Sequence, residues 1–240
     1  YFDAKARLFR PALSSVAVIN TDDEYGRLLA ALVTSWGGTV VSTAVDSAAD
    51  YRVLGVTASD DGRRRVRLGT PDGEVAFGLS MLGDFNVRNA AMALAMVGAR
   101  GLDVAAAAEG LASAQVPGRM QRVELPEDAP AVVVDFAHTP QAVDEALSAL
   151  PATGRRIAVL GAGGDRDPSK RGPMGAAAAR HADLVIVTDD NPRSEVPEAI
   201  RNAVLAGARE AAESGTEVVD GGERAAAIGH ALAQSRPGDW

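Results

Sequence analysis

Ala182-Asp183-Leu184-Val185-Ile186-Val187-Thr188-Asp189-Asp190-Asn191-Pro192-Arg193-Ser194-Glu195 is the stretch on which the reading of this chain turns. Its first half is an apolar, strand-like run. Its second half is polar and contains a rigid Asn-Pro step. In open α/β sheets, ligands sit at the carboxyl ends of such strands. A turn there brings a carboxylate, an amide and a guanidinium into a small space. That set can read a zwitterion, with Asp for an ammonium and Arg for a carboxylate through a two-pronged charged hydrogen bond. A plain strand-to-helix turn, with Asp and Asn as caps and Pro197 near the next helix start, accounts for the same residues. The run alone leaves both readings open.

Around this run the chain alternates. After Pro117-Gly118, strands are expected over 132–135, 156–160, 184–188 and 217–219. Helices are expected over 141–150, 175–181, 197–214 and 222–234. Such alternation implies a parallel, Rossmann-like sheet. Upstream, Val16-Ala17-Val18-Ile19-Asn20 reads as a buried strand, and Asp22 or Asp23 caps a helix running to about Thr34. Four β-type stretches follow, over 40–45, 52–58, 65–69 and 74–79. Asp60-Asp61-Gly62 and Pro71-Asp72-Gly73 are hairpin turn signals among them, marking an antiparallel insertion or sheet flank. Ala-rich helices are expected over 86–99 and 104–114. The fold class is α/β: a mixed sheet with helices, then a Rossmann-like parallel sheet. The boundary is placed between residues 118 and 126, giving domains 1–120 and 121–240.

The 240 residues carry 24 Lys and Arg against 32 Asp and Glu, a net charge of −8. That argues against a general binder of nucleic acid or anionic membrane, while leaving room for a local basic pocket. With no cysteine, disulfides, thiolate zinc sites and a cysteine nucleophile are excluded. No apolar run reaches bilayer length and no signal peptide is visible, so cytoplasm is the expected location. Tyr1 opens inside an amphipathic helix pattern (Phe2, Ala6, Phe9) without a cap, and Pro237-Gly238-Asp239 is a turn that ordinarily leads into another element. Both ends read as cut from a longer enzyme.

Several further segments carry chemistry-bearing residues. Asp135-Phe136-Ala137-His138-Thr139-Pro140 ends one strand and starts a helix. A strand-end carboxylate beside an imidazole can hold a ribose, a metal or a proton in transfer. Thr139 as cap with Pro140 at the first helical position explains the local structure but neither Asp135 nor His138. Gly161-Ala162-Gly163-Gly164-Asp165-Arg166-Asp167 also follows a strand. Its glycines can let backbone N–H groups approach an anion, or it can be a mobile surface loop. It is neither the dinucleotide fingerprint, since Arg166 stands at the last glycine, nor a Walker A loop. In Gly83-Asp84-Phe85-Asn86-Val87-Arg88-Asn89, the two side-chain amides Asn86 and Asn89 share a helix face and can read a nucleobase edge, unless Asn86 is only a cap. Pro117-Gly118-Arg119-Met120 puts an arginine at the domain junction, for a phosphate or for a salt bridge. Lys5 reads locally as a solvated helix lysine.

Taken together and in this order, Tyr-Phe-Asp-Ala-Lys-Ala-Arg-Leu-Phe, Gly-Asp-Phe-Asn-Val-Arg-Asn, Pro-Gly-Arg-Met, Val-Asp-Phe-Ala-His-Thr-Pro, Gly-Gly-Asp-Arg-Asp and Asp-Asn-Pro-Arg resemble the Mur ligases, and among them the diaminopimelate-adding type. The resemblance covers essentially the whole chain. It implies part of an ATPase-type central domain and most of the amino-acid-binding C-terminal domain. It implies an ATP-dependent ligase of peptidoglycan precursor synthesis that joins meso-diaminopimelate to UDP-MurNAc-L-Ala-D-Glu through an acyl phosphate, with Mg²⁺ offsetting phosphate charge. Carried over by position, Lys5 is a carbamylated, metal-binding residue, because carbamylation turns its cation into an oxygen anion. Asn89, Arg119, Asp135 and His138 line the ATP side, His138 and Lys5 also being catalytic. Asp190, Asn191, Pro192 and Arg193 recognise meso-diaminopimelate, and Arg166 binds one of its carboxylates. A monomer is expected, with no nucleic-acid or membrane partner.

The family's N-terminal UDP-binding domain, its Walker-type loop and its Gly-Lys-Gly-His-Glu segment have no match here, so this polypeptide alone is expected to be inactive. Two other readings are carried. One is a related Mur or folylpolyglutamate-type ligase using another amino acid, against which Asp-Asn-Pro-Arg argues. The other is a noncatalytic nucleotide- or peptide-binding module of the same fold.

Overall fold

The computed structural model describes residues 1–60, 62–126 and 128–240. They form two compact units, Tyr1–Gln115 and Val116–Trp240. The division falls just ahead of Pro117-Gly118, because Val116 bridges to Arg119 across that turn.

The first unit opens with a short helix α1 (Phe2–Ala6) that tightens at once into a 3-10 turn, Arg7–Phe9. The amphipathic helix expected there is therefore brief, and Tyr1 supplies no side-chain cap. Next come β1 (Val16–Asn20), α2 (Glu24–Ser35), β2 (Thr39–Ala44), β3 (Tyr51–Ala58), β4 (Arg64–Thr70) and β5 (Gly73–Leu79). Asp23 is the cap of α2, its carboxylate accepting from Gly26 N–H at 2.7 Å. These strands make one sheet in sequence order: β1, β2 and β3 run parallel, and β4 and β5 join antiparallel. The hairpins thus extend the sheet as a flank. Pro71-Asp72 turns β4 into β5, with Thr70 opposite Gly73. In the other turn signal, Asp61 lies outside the described residues.

Helix α3 (Asp84–Ala99) covers one face of this sheet, burying Val87, Ala91 and Leu94 against Val66, Leu68 and Phe77. On β1, Ala17 and Ile19 meet Val33 of α2. The second Ala-rich helix, α4 (Val104–Glu109), ends in a 3-10 turn, Gly110–Ala112, and is shorter than its composition suggested.

The second unit holds β6 (Gln121–Val123), β7 (Val132–Val134), α5 (Pro140–Ser148), β8 (Ile157–Leu160), α6 (Arg171–Ala179), β9 (Leu184–Thr188), α7 (Pro197–Ala211), β10 (Glu217–Gly222) and α8 (Arg224–Gln234). A parallel sheet in the order β10-β9-β8 is its centre. All of β9 is buried. Val185 and Val187 face a cluster with Met174, Ile200, Val204 and Leu205, while Leu184 and Ile186 face Ala227 of α8. Helices on both faces explain why the strand is uniformly apolar rather than alternating. Full burial of each such side chain contributes roughly 1.5–3 kcal/mol.

Two expectations need correction. The strand at 132–135 does not belong to the parallel ladder: β7 pairs antiparallel with β6, a strand the sequence did not announce. Backbone from the 239–240 segment bonds at the entrances of β7 and β8 instead, with Ala131 N–H donating to Asp239 O at 2.9 Å and Ile157 N–H to Trp240 O at 2.8 Å. Helix α6 starts at Arg171, ahead of the expected 175, because Pro173 falls in its first turn, where a missing N–H costs nothing. Among the described residues no helix is long and apolar enough to cross a membrane.

Candidate functional site

Because β8, β9 and β10 are parallel, the segments that follow them emerge at one edge of the sheet. There the loop after β8, residues 161–167, packs on the turn after β9, residues 189–195. Gly164 N–H donates to Asn191 O at 2.9 Å, and Arg193 Nη1 donates to Gly164 O. Ser194 Oγ and N–H donate to the Asp165 carboxylate at 2.7 and 3.2 Å. Glu195 Oε1 accepts from Asp165 N–H at 2.7 Å. A side chain at Gly164 would put its Cβ 1.9 Å from Pro192 O. The glycines therefore serve close loop-to-loop approach.

The same cluster sorts its charges. Arg201 of α7 reaches back to Asp189 and, at 2.7 Å through Nε, to Asp220 at the end of β10. Arg171, with only 7% of its side chain exposed, donates to Glu195 at 2.7 Å. That guanidinium, with the Asp165 N–H, holds the Glu195 carboxyl below its usual range. Asp167 caps the following 3-10 turn and is likewise lowered, first by the Ser169 hydroxyl. Two charged side chains are left over: Asp190 and Arg166 are exposed and make no hydrogen bond or ion pair among the described residues. Arg193 is exposed and keeps the rest of its guanidinium beyond the bond to Gly164. A free carboxylate and free guanidinium nitrogens, carried on two loops bonded to each other, are the complement of an ammonium and a carboxylate.

A second group of the anticipated residues meets nearby in the chain's own bonding. The Asp135 carboxylate accepts from Met120 N–H at 2.8 Å, which accounts for a strand-end Asp that the helix cap leaves unexplained. The Arg119 guanidinium lies over the Phe136 ring at 5.0 Å, and Phe136 meets His138 edge-on at 5.3 Å. His138 Nδ1 is 3.0 Å from Phe136 O. A carbonyl only accepts, so Nδ1 carries the hydrogen and Nε2 is the free ring nitrogen. Thr139 caps α5 through Ala142 N–H with Pro140 at its first position. Lys170 Nζ donates to His138 O at 2.9 Å and so ties this segment to the loop after β8.

Lys5 and Asn89 belong to the first unit. Lys5 is exposed, its Nζ 4.4 Å from the centre of the Tyr1 ring. Asn89 donates to Asn86 Oδ1 at 3.2 Å, and buried Asn86 donates to Leu82 O at 2.7 Å. Asn86 is thus inside α3 and is not its cap, which is Gly83. Among the described residues no group of three or more His, Cys, Asp and Glu is arranged to hold a metal ion, and the unmodified Lys5 amine is itself a cation, so an oxygen ligand for Mg²⁺ at that position would come only from its carbamate. Sequence reasoning assigned no role to Arg171, Glu195 or Arg201. Arg171 opens α6, Glu195 lies two residues before α7 and Arg201 is the fifth residue of α7, positions that carry no signal of their own.

Comparisons with known proteins agree along the chain. Residues 118–240 match the family model of the Mur ligase glutamate ligase domain, and residues 1–97 that of the Mur ligase middle domain. A Corynebacterium efficiens protein named UDP-N-acetylmuramoyl-L-alanyl-D-glutamate–2,6-diaminopimelate ligase is 46% identical over 248 residues, covering 100% of this chain and 46% of its own. Its Streptomyces avermitilis namesake is 43% identical, with 100% and 48% covered. The chain spans about half the length of these curated relatives. A solved structure of that ligase matches at TM-score 0.65 with 34% identity, over 100% of this chain and 49% of the other. Mycobacterium tuberculosis folylpolyglutamate synthase, solved with ADP and AMPPCP, matches at TM-score 0.75 with 26% identity, over 97% and 51%.

Proposed function

The chain belongs to the Mur ligase family, and on that premise we propose that its protein is an ATP-dependent ligase adding meso-diaminopimelate to UDP-MurNAc-L-Ala-D-Glu. ATP supplies the phosphoryl group that activates the acceptor carboxylate. The residues at the edge of the parallel sheet hold the incoming amino acid. Asp190 takes the ammonium that is not acylated. Arg193 and Arg166 take the carboxylates, and Asn191 and Pro192 shape the turn between them. Holding the amine in place removes much of the entropic barrier to its attack. Arg119, Asp135, His138 and Asn89 are assigned to the nucleotide side, and Lys5 to metal binding once carbamylated.

The observation that carries this reading is the sorting of charge in the two loops. Among the described residues every other carboxylate there has a partner, while the Asp190 carboxylate and the Arg166 guanidinium have none. A substrate with two amino-acid ends supplies the missing counter-charges, and lysine lacks one carboxylate. The test is steady-state turnover by the protein carrying this chain, expressed from its full reading frame, with meso-diaminopimelate and L-lysine in parallel. A strong preference for diaminopimelate is expected. Arg193→Ala should lower kcat/KM for diaminopimelate by about 2–5 kcal/mol while leaving ATP binding intact. Equal use of lysine by the unsubstituted protein refutes the substrate assignment. The likeness to folylpolyglutamate synthase keeps a ligase with another amino acid as the second reading, and the same assay decides it.

A further inference from the structure

The two loops that present Arg166, Asp190 and Arg193 are held in register by a side chain that is not among them. Glu195 Oε1 accepts at 2.7 Å from the N–H of Asp165, the residue before Arg166, and at 2.7 Å from Arg171. Arg171 is buried at the start of α6, a helix packed into the main core of the unit. Glu195 thus fastens one loop to the other and both to a rigid element. Asp165 returns the connection through Ser194. Asp165 and Arg193 both have φ of +50°, a left-handed conformation that a residue with a Cβ keeps only when its surroundings hold it there.

We propose that Glu195 is a positioning residue: by locking the 161–167 loop to the 189–195 turn, it sets the placement of Arg166 relative to Asp190 and Arg193 and so selects a substrate with a second carboxylate. This rests on the assignment of those residues to the diamino dicarboxylate. Without Glu195, the Asp165 N–H and a buried guanidinium lose their shared acceptor. Asp165 is then held only through Ser194, the tie to α6 is lost, and the spacing between the two arginines is no longer fixed.

The experiment measures KM and kcat for meso-diaminopimelate, L-lysine and ATP in the full-reading-frame protein and in Glu195→Ala and Glu195→Gln. Glu195→Ala should lower kcat/KM for diaminopimelate by up to ~100-fold, with a raised KM because two carboxylate-binding groups are displaced, and shrink the preference over lysine, with KM for ATP unchanged. Glu195→Gln keeps the shape and an acceptor oxygen but loses the charge, so an intermediate rise is expected. Wild-type KM and preference in the variants overturn the proposal, as does a fall in kcat alone or an equal loss for ATP. If Glu195→Ala fails to fold, Glu195→Gln decides by the same criteria. Failure of the substrate assignment itself shows in the unsubstituted protein, before any variant is compared.

Discussion

Asp189 and Asp190 are adjacent and chemically identical, yet Arg201 engages one and leaves the other free. That clamp also joins the ends of β9 and β10 through Asp220. Arg201→Met, which keeps the stem and removes the charge, leaves the two carboxylates without their counter-ion. The loss should be about 1–3 kcal/mol, between an exposed and a buried pair, read by urea unfolding. Glu195 gives a pH prediction. Arg171 and the Asp165 N–H hold its folded pKa below the ordinary glutamate value. A depressed carboxyl contributes stability that is full above its unfolded pKa and lost as pH falls through the folded one. Urea unfolding at a series of acid pH values should show wild type losing more stability across that window than Glu195→Gln. Sequence reading missed these residues because their partners are distant: Glu195 bonds Asp165 across 30 positions and Arg171 across 24.

Local chemistry was more legible in the elements. Asp23 and Thr139 cap helices as their positions announce, because a cap bonds only two or three residues onward. Thr139→Ala should cost about 1 kcal/mol, visible as a lower Tm of the second unit. Glycine roles were less legible. A Cβ on Gly207 of α7 would fall 2.0 Å from Gly172 O of α6, and one on Gly175 would fall 2.0 Å from Val204 O. These helices touch backbone to backbone, so Gly207→Ala must push them apart. A loss of roughly 1–3 kcal/mol by denaturant unfolding is the expected cost of overpacking. Nothing in an Ala-rich helix pattern marks which glycine faces a neighbour. The pairing of β7 with β6 was hidden for a similar reason, since a three-residue strand has too few side chains to show a period.

Across the whole chain, each unit has a core of its own: Val66, Leu68 and Leu94 in the first, Val185, Val187 and Leu205 in the second. Residues 116–240 expressed alone should therefore unfold in one cooperative transition, by calorimetry or circular dichroism. The order of motifs along the chain was enough to determine the α/β class, the change from a mixed to a parallel sheet, and the Mur ligase family. The first two follow from period and turn chemistry, which are properties of neighbours in sequence, and the family from the resemblance its motifs carry. Only the tertiary structure decided that β7 leaves the parallel ladder, that the glycine loop closes on the 189–195 turn, and which charges at that edge remain free. Hydrogen-bond partners are chosen by distance in space, and a run of two aspartates does not say which of them an arginine twelve residues away will reach.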